Sequence, residues 1–177
     1  MSGLIVRAST ETDVARCTEI YRHHVLHGTA SFEIDPPDVA EMTKRRAAVL
    51  DLGLPHLVAE RAGVVMGYAY AGRWRPRPAY EYSVEDSIYI DKDAVGRGVG
   101  RALLPVLIEQ CTALGKRQMV AVIGDSAQTP SIRLHASCGF EMTGTIKSIG
   151  FKFGRWLDSV LMQRALGPGD TTPPGAA

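Results

Sequence analysis

Apolar residues recur along this chain with two distinct periods. Val14, Cys17, Ile20, Tyr21 and Val25 fall at helical spacing behind the polar start Ser9-Thr10-Glu11-Thr12-Asp13, which predicts a first helix running to about Gly28. A second helix is expected over 38–51, opened by Pro36-Pro37-Asp38 and closed by Gly53 and Pro55. The pattern then tightens. Leu4 to Arg7, His56 to Arg61, Val64 to Ala71 and Val84 to Asp91 read as strands, with Ala62-Gly63 as a tight hairpin turn. The stretch Gly72 to Pro78 is too proline-rich for a helix or an interior strand. A third helix follows the glycines near 100 and ends at about Leu114. Gln118 to Ile123 reads as a buried strand, Pro130 to Cys138 as a short helix stopped by Gly139, and Phe140 to Met162 as further strands. This order places the chain in the α/β (α+β) class, with helices around one central sheet.

Length and composition narrow the picture. The 177 residues suit one domain with a sizeable core. The eleven residues from Gly167, GPGDTTPPGAA, offer almost nothing to bury and read as a disordered tail, so the domain is expected over 1–166. A formal charge of +1 gives no reason to expect nucleic acid or an anionic membrane as partner, and no apolar run has the length of a membrane span. The three cysteines, Cys17, Cys111 and Cys138, are odd in number and form no CxxC, which argues against a disulfide framework or a zinc knuckle. With no basic, apolar leader at the N-terminus, a reducing cytoplasm is the simplest compartment. His23, His24 and His27 form HHxxH, but the glutamate of HExxH is missing and no further ligand is evident, so no metal is expected.

The chemistry begins at DKDAVGRGVGRALL, residues 91–104. Strand, glycines and helix in that order make an anion site, because bare backbone N–H groups approach the ligand and the helix start favours negative charge. A nucleotide P-loop would need a Lys-Ser or Lys-Thr, which is absent. A dinucleotide fingerprint would need GxGxxG near the first strand and an acidic residue about 20 positions on, and neither is present. A turn that binds nothing would also accommodate the glycines.

The loop resembles the pyrophosphate-binding loop of the GNAT N-acetyltransferases, which hold coenzyme A. Gly98-Val99-Gly100 matches the end of the family pattern; Val95 stands where Gln or Arg is usual. TPSIRLHASCGF, 129–140, is similar to the family's later helix, with His135 where many members carry a tyrosine that protonates the departing thiolate. Four further stretches, GTASFE, GYAYAGRWRPRPAYEYSVEDSIYI, VAVIG and GFKFGRWLD, resemble the phosphinothricin and methionine sulfoximine acetyltransferase branch, so the similarity covers roughly residues 4–165.

That resemblance implies a GNAT fold, with a mixed, largely antiparallel sheet flanked by helices, and acetyl-CoA as cosubstrate. It implies that Ile88, Tyr89 and Ile90 run beside the coenzyme A arm where two strands splay apart, with a backbone N–H near Ile88 facing the developing oxyanion. Gly96, Arg97, Gly98, Val99, Gly100 and Arg101 would hold the pyrophosphate, with Gln128 and Ser131 nearby. Glu85 is expected as the base, directly or through water, with Asp86 a weaker substitute. His135 is expected either as the acid or as a group that orients a neighbour. Arg75, Arg77 and Tyr80 are expected to hold an anionic acceptor, since guanidinium suits carboxylate and phosphinate oxygens. Phe32 would form an apolar wall, and Asp86 and Ser87 would complete the acceptor side. Trp156 is expected to pack or to join a subunit contact, since members of the branch are dimers.

The implied reaction is acetylation of the amino group of phosphinothricin, methionine sulfoximine or methionine sulfone by direct attack in a ternary complex, with no residue poised as a nucleophile. Acetylation of another small amine or a protein N-terminus, and a coenzyme A-binding module without catalysis, stay open as alternatives.

Overall fold

The computed structural model describes residues 3–174. Seven strands form one sheet in the order β1-β2-β3-β4-β5-β7-β6. They are β1 (Ile5–Ala8), β2 (His56–Arg61), β3 (Val64–Arg73), β4 (Ser83–Ile90), β5 (Gln118–Gly124), β6 (Glu141–Lys152) and β7 (Arg155–Ala165). Every neighbouring pair is antiparallel except β4 and β5. The helices are α1 (Val14–His27), α2 (Val39–Asp51), α3 (Val99–Ala113) and α4 (Thr129–Ser137). Among the described residues, no helix is long and apolar enough to cross a membrane.

Alternation along the strands sorts the core into two layers. Leu57, Ala59, Ala69, Ala71, Val84, Met119 and Ala121 pack against Leu103, Leu104 and Leu107 of α3, with Ile88 and Ile90 beside them. Val58, Val65 and Tyr68 turn the other way, onto Val14, Cys17, Ile20 and Val25 of α1 and Met42 of α2. Helices therefore cover both faces of the sheet.

Several expected boundaries move. A single 3-10 turn over Glu11–Asp13 precedes α1, and Thr10 and Asp13 cap it reciprocally. The strand expected to stop at Ala71 runs on to Arg73, because Gly72 and Arg73 still pair with Glu85 and Val84. The proline-rich segment contains one short turn, Pro78–Tyr80. The chain after Ala165 is held as far as it is described: Gly169 N–H bonds the Leu166 carbonyl, and the Arg117 guanidinium donates to the carbonyls of Gly169 and Pro173. Backbone turns and one arginine thus supply the contacts of residues 167–174; residues 175–177 lie outside the described residues.

Candidate active site

The parallel pair β4 and β5 is joined only along its first half. Pairing runs from Ser83 with Gln118 to Asp86 with Ala121 and ends there. Beyond that point each strand follows its outer neighbour: β4 stays with β3 as far as Ile90 opposite Gly67, and β5 stays with β7 as far as Gly124 opposite Ser159. The inner edges diverge and leave a slot. It is lined by Asp86, Ser87, Ile88 and Tyr89 of β4, Val122 and Gly124 of β5, and Gln128, Ser131 and His135 at α4. The Tyr82 carbonyl accepts from Gln118 N–H, so even-numbered residues of β4 turn their backbone groups toward β5. By that parity the Ile88 N–H faces the slot, past the last β5 partner.

Adjacent residues at the mouth of the slot point to opposite faces. Asp86 shares the α3–α4 face with Val84 and Ile88; Glu85 shares the α1–α2 face with Ser87 and Tyr89. Glu85 is partly buried, and burial together with the Asp86 charge raises its pKa, opposed by Arg75. Asp86, expected beside the acceptor, is instead bound to His135: Oδ2 lies 3.0 Å from Nε2, and both side chains are almost fully buried. The other ring nitrogen, Nδ1, donates to the Ser131 carbonyl at 2.8 Å. Burial lowers the His135 pKa, but the bond to Asp86 and its charge outweigh that, and the net shift is upward. Asp86 Oδ1 is buried without a partner.

The glycine stretch follows the unpaired end of β4 and opens α3. Gly96 and Gly98 have φ of 77° and 82°, a left-handed backbone that a Cβ would strain. The first intrahelical bond of α3 runs from Ala102 N–H to the Gly98 carbonyl, which leaves the N–H groups of Val99, Gly100 and Arg101 at an open helix start. Gly100 also faces α4: a Cβ there would press on the tip of the Leu134 side chain. Free amides of α3, the unpaired half of β4 and a slot between them fit an extended ligand with an anionic end.

The remaining candidates divide. Arg75 and Arg77 line a separate basic cleft of about 350 Å³ at the start of β4, with Arg73, Glu81 and Lys116. Arg75 stacks on Trp74, 4.8 Å from the ring centroid, and is near enough to Glu85 to affect its titration. Tyr80 lies on the exposed turn. Phe32 lies between Gly124 and Gly150, either of which would clash with its ring if it carried a Cβ. His24 donates from Nε2 to the Ile90 carbonyl at 2.8 Å, and among the described residues no His, Cys, Asp and Glu group could hold a metal.

Three positions escaped the sequence reading. Lys152 is buried and donates to the carbonyls of Gly28 and Ser31 at 2.9 and 2.7 Å, tying β6 to the loop before α2. Asp125, with φ of 70°, accepts from Thr29 and from Arg155 at 3.1 and 2.5 Å. Gly150 admits Phe32. All lay in or beside quoted stretches, but no local pattern shows that they meet the α1–α2 loop.

Residues 6–161 match the acetyltransferase (GNAT) domain family. The chain is 57% identical over 169 residues to a phosphinothricin N-acetyltransferase of Alcaligenes faecalis, covering 96% of this chain and 86% of that one. It is 42% identical over 163 residues to an L-methionine sulfoximine/L-methionine sulfone acetyltransferase of Salmonella typhimurium, covering 92% and 95%. The crystal structure of a GNAT superfamily phosphinothricin acetyltransferase from Sinorhizobium meliloti, in complex with acetyl-CoA, superposes with a TM-score of 0.95 at 48% identity, covering 100% of this chain and 95% of that one.

Proposed function

This chain belongs to the GNAT acetyltransferase family, and we propose that it transfers the acetyl group of acetyl-CoA to the amino group of a small amino-acid analogue of the phosphinothricin, methionine sulfoximine or methionine sulfone type. The observation that carries this reading is the slot between β4 and β5, with Glu85 on one face of the sheet and the Asp86–His135 pair on the other. In acyl transfer a base deprotonates the attacking amine and an acid protonates the departing thiolate, and this arrangement provides a separate group for each.

Acetyl-CoA supplies the activated acetyl group as a thioester. Val99, Gly100 and Arg101 hold its anionic end through their N–H groups, with Gly96, Arg97 and Gly98 shaping the turn. Ile88, Tyr89 and Ile90 flank its arm, and Gln128 and Ser131 border the slot from α4. Glu85 takes a proton from the acceptor ammonium, because only the free amine has a lone pair to attack with. The Ile88 N–H faces the oxygen that gains charge, a contact worth about 3 kcal/mol in comparable sites. Arg75, Arg77 and Tyr80 recognise the acceptor's acidic groups, and Phe32 and Ser87 border it.

We assign residues 1–166 to the catalytic unit and place the protein in the cytoplasm, where a reducing milieu suits its three free cysteines. It works as a homodimer: Ile149, Phe151, Phe153 and Trp156 form an exposed apolar patch at the edge of the sheet, of the kind that a second copy covers. Acetylation removes the positive charge of the acceptor, and resistance to such compounds is a consequence of that chemistry.

The test is release of free thiol from acetyl-CoA with phosphinothricin, methionine sulfoximine, methionine sulfone, spermidine and a peptide as acceptors, with Glu85→Gln run in parallel. Turnover confined to the first three and much reduced in the variant is the expected result. Turnover only on spermidine or peptide discards the acceptor class, and binding of acetyl-CoA without turnover discards the enzyme.

A further inference from the structure

Both nitrogens of His135 are occupied by acceptors. The Ser131 carbonyl can only accept, so Nδ1 carries a proton. The Asp86 carboxylate faces Nε2 at 3.0 Å, and one further proton must lie between them. We propose that Asp86 is a positioning residue that keeps this second proton on His135, so that the α4 side of the slot presents an imidazolium rather than a neutral ring.

Two features of the fold favour the proton on the ring. His135 lies in the last turn of α4, where the carbonyl ends of the helix favour a cation. The Phe140 ring meets it edge to face at 5.1 Å and fixes the plane in which both bonds are made. Asp86 Oδ1 is buried without a donor, so the Nε2–H of His135 is the one hydrogen bond this carboxylate receives.

Among the described residues, no titrating group that faces the pair from α3, β4 or β5 competes for that proton. From α3 the facing group is Cys111, whose thiol is pushed up to about 12 by burial first and the Asp86 charge second, so it stays neutral at working pH. Glu85 is the neighbour along β4 but turns to the opposite face. From β5 the facing residues are Met119, Ala121 and Ile123, which do not titrate.

The catalytic consequence rests on the acetyltransferase reading; the protonation of His135 does not, and the two are read separately. The ring nitrogens of His135 are followed by nitrogen NMR across pH in the wild-type protein, in Asp86→Asn and in His135→Gln, the last to assign the signals. In the wild type, His135 should remain doubly protonated above pH 6.5, the ordinary histidine midpoint. In Asp86→Asn the midpoint should fall below that value, because burial, the largest influence, is then opposed only by the Ser131 carbonyl and the helix end. On the same samples the alkaline limb of the kcat profile should move to lower pH, with kcat at pH 8 down about ten-fold or more and acetyl-CoA affinity retained. A wild-type His135 that is neutral at pH 7 overturns the proposal whether or not any variant folds. So does an Asp86→Asn protein with an unshifted midpoint. A shifted midpoint with an unaltered rate profile overturns the catalytic half alone. Failure of every acceptor in the panel would instead count against the function.

Discussion

The ring of Phe32 occupies the space that a side chain on Gly150 would need. Gly124, at the end of β5, is bare on the other side of the same ring. Two glycines from different strands thus make a slit for one aromatic residue of the α1–α2 loop, and the loop is pinned beside the slot.

Filling that slit should displace the loop. Gly150→Ala is expected to cost about 1–3 kcal/mol of stability through overpacking and to raise the KM for the acceptor while acetyl-CoA binding is retained. Thermal unfolding and initial rates at varied acceptor check both. An unchanged acceptor KM would remove Phe32 from the acceptor wall.

Lys152 holds the same loop by polar means. Its Nζ is tucked between the carbonyls of Gly28 and Ser31, and burial lowers its pKa against the opposing charge of Glu33. Lys152→Met fills similar volume but leaves two carbonyls without their donor. A loss of about 1–3 kcal/mol is expected, with weaker acceptor binding and normal acetyl-CoA affinity by calorimetry.

As the proposed base, Glu85 is expected to set the acidic limb of the rate profile. Burial raises its pKa and Arg75 opposes the rise, so activity should climb as pH rises through a midpoint above the usual carboxylate range. Removing Arg75 takes away the opposing charge. The acidic limb of Arg75→Ala should therefore move to higher pH, separately from any change in KM, whereas Glu85→Gln should lose the limb and about a hundred-fold or more in kcat. A limb that stays in place in Glu85→Gln assigns it to another group.

His56 makes stability depend on pH. It is buried between Tyr68 and Tyr70, with ring centroids at 5.7 and 5.5 Å, and burial first, then the Arg46 charge, lowers its pKa from 6.5 to about 4. As pH falls below 6.5 the unfolded chain takes up a proton that the folded chain refuses. Stability is complete above that pH and is lost progressively toward pH 4, by about 3 kcal/mol at most. Urea melts at several pH values should show this slope, and His56→Phe should flatten it.

The apolar edge predicts the assembly state. Trp156 is 64% exposed and Phe151, 5.2 Å away by ring centroid, 58%. Light scattering after gel filtration should give twice the chain mass for the wild type and a monomer for Trp156→Glu with Phe151→Glu. A monomeric wild type removes the homodimer from the proposal.

How much of this was legible in the chain depends on the range of the interaction. Helical periodicity in 14–27 and alternation in 56–71 are local properties of sequence, and they located α1, β2 and β3 to within two residues. The glycines at 96 and 98 announced a backbone that only glycine adopts easily, and both have positive φ. Glu85 and His135 stood out as candidates through family motifs, because those motifs hold particular residue types at fixed places along the chain. What the chain could not display is which residues meet across it. Asp86 follows Glu85 by one position, yet the strand alternation sends it to the opposite face, where 49 positions later in sequence His135 waits. Lys152 reaches a loop 121 positions away, and Phe32 needs absences at 124 and 150. Such contacts are set by register and by how two sheet layers close on each other, which no local pattern carries; only the folded chain brings the proton-holding pair, the loop clamp and the slot to one place.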